Sequence, residues 1–471
     1  MRKATKLYAL LGVLLVVCIA AFAVSRYEEK KEQIKNSGEV ILEIPADSVT
    51  ALSWTNDSGT FSFTKDETWV YDDDNAFPVD EEKINDLLEQ FTSFAATFTI
   101  DDVEDYTQYG LDEPVCTIHI SAGEESYTVE LGDFSKMDEQ RYVSIGDGKV
   151  YLVTHDPLDE FDAVLRDMIL DDTISDFDTV DEITFSGDEN YTVIRDEDGK
   201  SICEDDVYFT DGKPLDTDNV DSFLSAIQSL SLTNYVSYNA TDEELAGFGL
   251  NEPELTVKLV YSKQDEDGST EDSGTLLLHL AQNPEEAAAY EDALERNLAE
   301  LPDVTCYVRV GQSQIVYEIT QDEYDALTAV SYDTLRHQKL FAADFDAVTS
   351  IDVTLSGESY TFTYTPPTDK DDEDAEGTWT YNGEGFDIYD LKTALHAISA
   401  SSFTDETPTG QEEISLTVHL DNEDFPTFTL TLYRYDGTNC IAAVDGKTVA
   451  FVSRSQTVDL IEAVNELTLG S

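Results

Sequence analysis

Alternating apolar and polar residues mark a strand pattern that recurs three times along the chain. The three copies read CTIHI (116–120), LTVKL (255–259) and SLTVHL (415–420). A period of two with one apolar face is typical of a half-buried β-strand. GLDEP precedes the first copy at 110–114 and GLNEP the second at 249–253, whereas the third follows Gly410 and aligns without a gap. We therefore predict an internal repeat with two similar copies and one diverged copy.

Apolar residues at spacings of three and four predict an amphipathic helix before each of these strands. The stripes consist of Ile84, Leu87, Leu88, Phe91 and Phe94 in the first copy, Val220, Phe223, Leu224, Ile227 and Leu230 in the second, and Leu391, Ala394, Leu395 and Ile398 in the third. Asp80, Asp216 and Asp387 precede the stripes. Each is expected to cap its helix by accepting hydrogen bonds from free backbone N–H groups.

Strands ending in aromatic residues precede each helix, and a hairpin and a closing helix end each unit. The aromatic strands lie at 69–71, 207–209 and 379–381, the hairpins at 142–153, 307–319 and 442–452, and the closing helices at 158–169, 323–335 and 458–467. Gly-Asp-Gly and Asp-Gly at two hairpin tips supply the positive φ that tight turns demand. The predicted fold class is α+β, with repeated domains that are each a mostly antiparallel sheet with packed helices.

The register of the repeats sets the predicted boundaries. Domain 1 covers 41–172, domain 2 covers 173–342 and domain 3, the diverged copy, covers 343–471. An insertion in the second copy, Ala281–Leu301, is rich in Ala and Glu and is predicted to be helical. The acidic tract Asp369–Glu376 in the third copy is predicted to be a solvated hairpin tip.

An uncharged run, Leu7–Val24, predicts a transmembrane helix. A helix of that length spans about 27 Å, close to the thickness of a hydrocarbon core. Because basic residues lie before it, we expect residues 1–6 to be cytoplasmic, 25–40 to form a stalk, and the bulk of the chain to be extracytoplasmic. The predicted location is the cell membrane, with a single pass.

Two other interpretations of this segment remain. Ala21-Phe22-Ala23 offers a cleavage pattern for a signal peptide, but the apolar run is longer than a typical signal and a helical stalk follows it. Lipidation at Cys18 is the weakest interpretation, since Val17 stands where a small residue is expected.

The net charge of the chain limits the kinds of molecule that can bind it. The chain has 100 acidic and 27 basic residues, a net charge of −73, and 41% hydrophobic residues. That hydrophobic content is enough for packed cores, so the chain is globular. The negative field repels phosphate backbones and therefore excludes nucleic acid. The acids are spread along the whole chain, which favours a role in solubility over attraction of cations or a basic partner.

The candidate chemistry is sparse. Four cysteines show no CxxC spacing and are predicted to be free and mostly buried thiols: Cys116, Cys203, Cys306 and Cys440. The six histidines are scattered, and His119 and His419 are predicted to share one outward strand position. Lys258 takes that position in the second copy, so we interpret it as part of a solvated face.

The GLDEP segment is interpreted as a turn, with Gly110 at positive φ and Leu111 in the core. Asp112 and Glu113 are adjacent and do not face each other as a catalytic pair would. Three Asp-rich stretches fail the pattern of a calcium-binding loop, namely Asp72–Asp74, Asp265–Asp267 and Asp369–Asp374. We therefore assign no catalytic, cofactor-binding or metal-binding residues and predict no cofactor and no enzymatic activity.

A Trp strand, a P-x-D helix and YGLDEP from Tyr109 to Pro114, behind an N-terminal anchor, resemble the domain-of-unknown-function 4340 family. The resemblance covers the soluble region and is strongest in the first copy. It implies an accessory role beside the permease of gliding-motility-type ABC transporters.

Three functions follow, in order of preference. The first is a non-catalytic accessory or scaffold protein that contacts an ABC permease or another envelope protein. The second is a binding protein for an extracellular ligand or cell-wall polymer, with Tyr- and Trp-lined sheet faces. The third is a hydrolase that uses paired carboxylates.

Overall fold

The computed structural model describes residues 38–264, 270–367 and 377–469. These residues form an α+β structure with three nine-stranded antiparallel sheets, which confirms the predicted fold class at that level. The predicted anchor Leu7–Val24 and the tract Asp369–Glu376 lie outside them. Within these ranges, no helix is both long and apolar enough to cross a membrane.

Each sheet is built from strands that are consecutive in the chain. The first contains β1 (Glu39–Leu42), β2 (Val49–Asn56), β3 (Gly59–Lys65), β4 (Trp69–Tyr71), β5 (Phe94–Ile100), β6 (Cys116–Ala122), β7 (Glu125–Ser135), β8 (Gln140–Ser144) and β9 (Val150–Val153). The second contains β10 (Thr179–Ser186), β11 (Tyr191–Arg195), β12 (Tyr208–Thr210), β13 (Lys213–Pro214), β14 (Tyr235–Ser237), β15 (Leu255–Gln264), β16 (Thr270–Gln282), β17 (Cys306–Val310) and β18 (Val316–Ile319). The third contains β19 (Val348–Leu355), β20 (Glu358–Thr365), β21 (Thr378–Tyr381), β22 (Glu384–Phe386), β23 (Ala400–Phe403), β24 (Glu412–Leu420), β25 (Thr427–Arg434), β26 (Asn439–Val444) and β27 (Lys447–Ser453).

The described helices lie between and after these strands. They are α1 (Glu81–Glu89), α2 (Leu158–Phe161), α3 (Thr217–Gln228), α4 (Asp242–Gly247), α5 (Pro284–Glu295), α6 (Gln321–Thr328), α7 (Tyr332–Leu335), α8 (Tyr389–Ala397) and α9 (Arg454–Leu469). Helix α5 confirms that the insertion in the second copy is partly helical.

Eight strands follow one order in all three sheets, and this confirms the internal repeat. The first sheet runs β5-β9-β8-β7-β6-β2-β3-β4, and the same order holds from β14 to β12 and from β23 to β21. The ninth strand is added beside β5 in the first sheet and at the opposite edge in the other two. Helices α1, α3 and α8 connect strands at or next to opposite edges of a sheet, so each must cross the face of its sheet.

The chain divides into two compact units with the break between Asp171 and Asp172. The first unit holds the first sheet, and the second unit holds the other two. The predicted boundary between domains 2 and 3 is not a break between units and stays a prediction.

The predicted helix stripes are buried, but the helices are shorter than the stripes. Ile84, Leu87 and Leu88 lie in α1 and are at most 2% exposed. Phe91 and Phe94 are also buried, at 0% and 3% exposed, but come after the helix, and Phe94 begins β5. An apolar stripe can therefore continue from a helix into the strand that follows it.

Two of the three predicted aspartate caps are confirmed. Asp80 accepts hydrogen bonds from the backbone N–H groups of Glu82 and Lys83, and Asp216 accepts one from Asp218. In the third copy the capping position is Ile388, and Asp387 instead accepts a hydrogen bond from the Tyr389 N–H at 2.9 Å.

The predicted closing helix is wrong in the first copy and interrupted in the second. The first copy has the short α2 and a 3-10 turn at Leu165–Met168. The side chains of Trp54 and Asn56 donate hydrogen bonds to the Ala163 carbonyl at 3.0 and 3.1 Å, which draws that carbonyl away from a helix. The second copy is divided into α6 and α7, and α9 in the third copy is continuous.

The turn at GLDEP is confirmed in the first two copies. Gly110 and Gly249 have φ of 67° and 78°. They end a 3-10 turn and α4, respectively, and the following residues, Leu111 and Leu250, are buried. The left-handed residue lets the next N–H return to the end of the helical turn, from Leu250 to the Leu245 carbonyl at 2.8 Å.

The alignment of the third copy without a gap is wrong by two residues. A β-bulge follows the first valine of β2, β10 and β19, so these valines are equivalent. Their neighbours across the ladder are Ala122, Tyr261 and Leu420, whereas the ungapped alignment pairs Leu420 with Ile120. A two-residue offset keeps every side chain on its face, so alternation cannot reveal it.

Candidate functional site

Polar side chains from three segments of the second unit converge on one cavity. The loop between β11 and β12 supplies Cys203 and Asp206, the capping position of α3 supplies Asp216, and the chain just after α7 supplies His337. The cavity has a volume of about 490 Å³. We call these four residues the His337 cluster.

Asp206 is the most deeply buried member of the cluster, with a side chain that is 1% exposed. Ser201 Oγ donates a hydrogen bond to its Oδ2 at 2.6 Å, and His337 Nε2 lies 2.9 Å from both carboxylate oxygens. A buried carboxylate is costly unless its oxygens are paired in this way. Asp206 is thus held in one orientation by the Ser201 hydroxyl and the His337 imidazole.

His337 lies between two carboxylates. Its Nε2 faces Asp206, and its Nδ1 is 3.2 Å from Asp216 Oδ2. Burial lowers the pKa of His337, but the hydrogen bond to Asp206 and the charges of Asp206, Asp216 and Asp218 outweigh it and raise that pKa overall. Asp216 also accepts the Asp218 N–H through Oδ1, so the start of α3 fixes the carboxylate that orients the imidazole.

Cys203 adds sulfur to this set. Its Sγ, a carboxylate oxygen of Asp206 and a ring nitrogen of His337 all lie within 4.8 Å of one another. Burial raises the pKa of the Cys203 thiol, and the nearby charges of Asp206, Asp205 and Asp216 raise it further. The hydrogen bond from the backbone N–H of Asp205 has the opposite effect on this pKa. Sulfur, nitrogen and oxygen donors at this spacing are the ligands that borderline divalent metals use.

The cluster lies where the chain leaves the second sheet for the third. Gln338 accepts a hydrogen bond from the Ala400 N–H at 2.8 Å, and the Leu340 N–H donates to Ile398 at 3.0 Å. The Arg336 guanidinium lies over the Phe403 ring, 3.4 Å from its centroid. The residues around His337 are therefore attached to the third sheet as well as to α3.

Two residues singled out in the sequence, Cys203 and Asp216, lie in the His337 cluster, but the acid pair and the tryptophans do not. The cysteines at 116, 203, 306 and 440 are free, and all except Cys203 are buried, as predicted. Asp112 and Glu113 are exposed on their turn. The three tryptophans, Trp54, Trp69 and Trp379, are at most 7% exposed. The expectation of Trp-lined sheet faces is therefore wrong, since tryptophan fills the cores.

His119 and His419 both lie on outward faces, but they are not equivalent. His119 pairs with Ser53, whose equivalent in the third sheet is Asp352, while His419 pairs with Ser350, two residues before Asp352, because of the two-residue offset. His419 Nε2 contacts Asp352 at 2.8 Å. The hydrogen bond from Thr361 and the contact with His419 lower the pKa of Asp352.

Sequence reasoning missed the His337 cluster because its members are separated along the chain. A comparison of the first copy with the second contains a signal that could have revealed the cluster. Asp80 N–H donates to Met168 as Asp216 N–H donates to Leu335, so Leu170 in the first copy matches His337. Leucine in one copy and histidine in the other marks a polar residue that the fold itself does not require.

Comparison with known families places this chain. Residues 69–213 and 210–417 match the model described as Domain of unknown function (DUF4340). The chain belongs to the DUF4340 family. The first DUF4340 match starts at Trp69 in β4 and ends at Lys213 in β13, so it runs from one sheet into the next. The His337 cluster lies within the matched residues, and no curated protein matches the chain.

Proposed function

We propose that this DUF4340 protein is a membrane-anchored, extracytoplasmic accessory protein that contacts an ABC-type permease or another envelope protein through its sheets. One observation supports the proposal: the three sheets share one strand order, but the residues at equivalent positions on their outward faces differ. At one equivalent position the three sheets carry His119, Lys258 and Thr417. A platform that is kept while its outward residues change fits a contact surface better than a repeated reaction centre.

The inward and outward faces differ in the way that such a platform requires. The inward face of the third sheet joins α8 and α9 in one buried apolar cluster that includes Val353, Leu395 and Leu460. The outward face is polar, as in the second sheet, where Lys258 lies 3.8 Å from Glu182 with both side chains more than 40% exposed. Exposed ion pairs of this kind add little stability and are free to serve recognition.

The anchor is supported by the uncharged run Leu7–Val24 and the basic residues before it. With a tether of this kind, the sheets would stay within reach of a membrane partner at a high effective concentration. The association with a permease is supported by family resemblance.

The test is crosslinking of the full-length chain in its own membranes, followed by capture and identification of the crosslinked proteins. We expect an integral-membrane transport subunit, recovered with the wild type and lost when residues 7–24 are removed. Recovery of the same proteins without the segment, or of no membrane protein, would overturn the proposal.

A second arm locates the contact on a sheet face. Lys258→Glu reverses a charge on the outward face of the second sheet and should lower the crosslinked yield. Lys136→Glu makes the same change of charge in the exposed turn between β7 and β8, and it should leave the yield unchanged. Equal losses in both variants would show that only net charge matters and would contradict a contact at this face.

A further inference from the structure

The geometry of the His337 cluster points to a zinc-binding site, and we propose that Cys203, Asp206 and His337 bind Zn²⁺ through one sulfur, one oxygen and one nitrogen. Zinc sites with three protein ligands of these types keep a fourth position for water or another ligand. The cavity of about 490 Å³ beside the cluster provides space for it. The proposal is independent of the membrane anchor and of any permease.

The ligand spacing fits a small tetrahedral ion. The His337 Nε2 to Asp206 oxygen distance is 2.9 Å, and the Cys203 sulfur, a carboxylate oxygen of Asp206 and a ring nitrogen of His337 lie within 4.8 Å of one another. Two ligand atoms that each lie about 2.0–2.1 Å from zinc are roughly 3.3 Å apart in a tetrahedron. Small side-chain adjustments would therefore admit the ion. It would replace the protons on Sγ and Nε2, which pass to solvent.

The surroundings of the ligands resemble those of a built site. Histidines that bind metals usually donate their other ring N–H to a carboxylate, and Asp216 Oδ2 lies 3.2 Å from His337 Nδ1. Ligating carboxylates are usually hydrogen-bonded in turn, and Ser201 Oγ donates to Asp206 at 2.6 Å. Both the imidazole and the carboxylate are thus oriented by groups that would not touch the ion.

The donor set selects zinc over the hard cations that acidic proteins attract. Calcium and magnesium prefer oxygen ligands alone, whereas thiolate and imidazole favour zinc and similar borderline metals. The many exposed carboxylates of this chain can bind cations weakly, but they cannot supply a thiolate. Sulfur ligation therefore distinguishes this site from the acidic surface.

The position of the site gives the ion a structural consequence. It would join the loop before β12 to the chain segment that runs from α7 to the third sheet. Loading with zinc should therefore stabilise the second unit, since an ion that binds only the folded state raises the stability of that state.

The experiment uses the full-length chain, freed of metal by dialysis and titrated with Zn²⁺ and, separately, with Co²⁺. We expect about one Zn²⁺ held at the site per chain and a thiolate-to-cobalt charge-transfer band. Cys203→Ser should abolish the band, and Cys306→Ser, which removes another free thiol of the second unit, should retain it. Asp216→Asn should keep the band but weaken zinc binding about 10–100-fold.

A second measurement needs no variant. Zinc should protect Cys203 of the wild type from alkylation, as mapped by mass spectrometry, while calcium at the same concentration should not. Zinc that binds without protecting Cys203 would lie on surface carboxylates. That outcome, a wild type that binds no zinc, or a band that persists in Cys203→Ser would each overturn the proposal.

Discussion

Gly110 and Gly123 share a left-handed backbone but differ in what surrounds them. Their φ angles are 67° and 62°. A Cβ on Gly110 would lie 2.7–2.9 Å from atoms of Asp133, including its backbone nitrogen, whereas a Cβ on Gly123 would meet nothing within 4 Å. The pair therefore separates backbone strain from steric overlap.

We predict that Gly123→Ala destabilises the protein by about 1–2 kcal/mol, the cost of a left-handed alanine. Gly110→Ala should cost about 1–3 kcal/mol more, because a rigid backbone must move to admit the methyl group. Denaturant unfolding of the two variants, followed for the first unit, measures both values. Equal losses would show that the turn at Gly110 can relax and that its tight packing contributes nothing.

Single residues were predictable where a local rule determines them. The positive φ of Gly110, the burial of Leu111 and the free thiols followed from turn chemistry and cysteine spacing. The proximity of Cys203 to His337 did not, because no local rule links two residues that only the folding of the chain brings together.

The start of α1 offers a test at the scale of an element. Asp80 accepts hydrogen bonds from Glu82 and Lys83 at 2.9 and 3.4 Å, while Asp86 is exposed in the middle of the same helix. Asp80→Ala should lower the free energy of unfolding by about 0.5–2 kcal/mol, since backbone donors lose their acceptor. Asp86→Ala should be neutral or slightly stabilising, because alanine is the better helix former.

Chemical denaturation measures the free energy of unfolding of both variants. The values are compared with the wild type when the slope of this free energy against denaturant concentration is unchanged. Because both substitutions remove one negative charge from the same helix, a general effect of charge would move them together. A loss in Asp86→Ala as large as that in Asp80→Ala would contradict the capping role.

The closing segment of the first copy shows why element boundaries were harder to predict than strands. Its sequence has a helical pattern, but Trp54 and Asn56 of a distant strand donate hydrogen bonds to its carbonyls. In the third copy Val353 and Leu355 take the positions of Trp54 and Asn56, and α9 is continuous. In the first copy, two polar side chains from another element thus bind carbonyls that the predicted helix would use.

At the scale of the whole molecule, the division at Asp171 and Asp172 predicts two unfolding transitions. Gly110→Ala should shift one transition and leave the other in place. Gly249→Ala should shift the other, because its φ is 78° and a Cβ would lie 2.6 Å from the Gln282 carbonyl oxygen. Differential scanning calorimetry of the full-length chain measures both. A single transition that moves in both variants would contradict the division.

The three repeated sheets could be foreseen, since each copy repeats its alternation and its helix, but the order of their strands could not. The grouping of the second and third sheets into one unit could not. Contacts of the residues around His337, such as that between Arg336 and Phe403, join the second sheet to the third, and they leave no periodic trace in the sequence.

The two-residue offset of β24 also describes how this strand can change during evolution. Its face toward the core depends on whether a position is odd or even, so gaining or losing one residue before the strand would turn the apolar side chains to solvent. A change of two residues keeps the apolar side chains facing the core and moves each outward side chain by two positions along the neighbouring strand. Length changes in even steps are therefore a route by which a duplicated domain can acquire a new outer surface while its core stays the same.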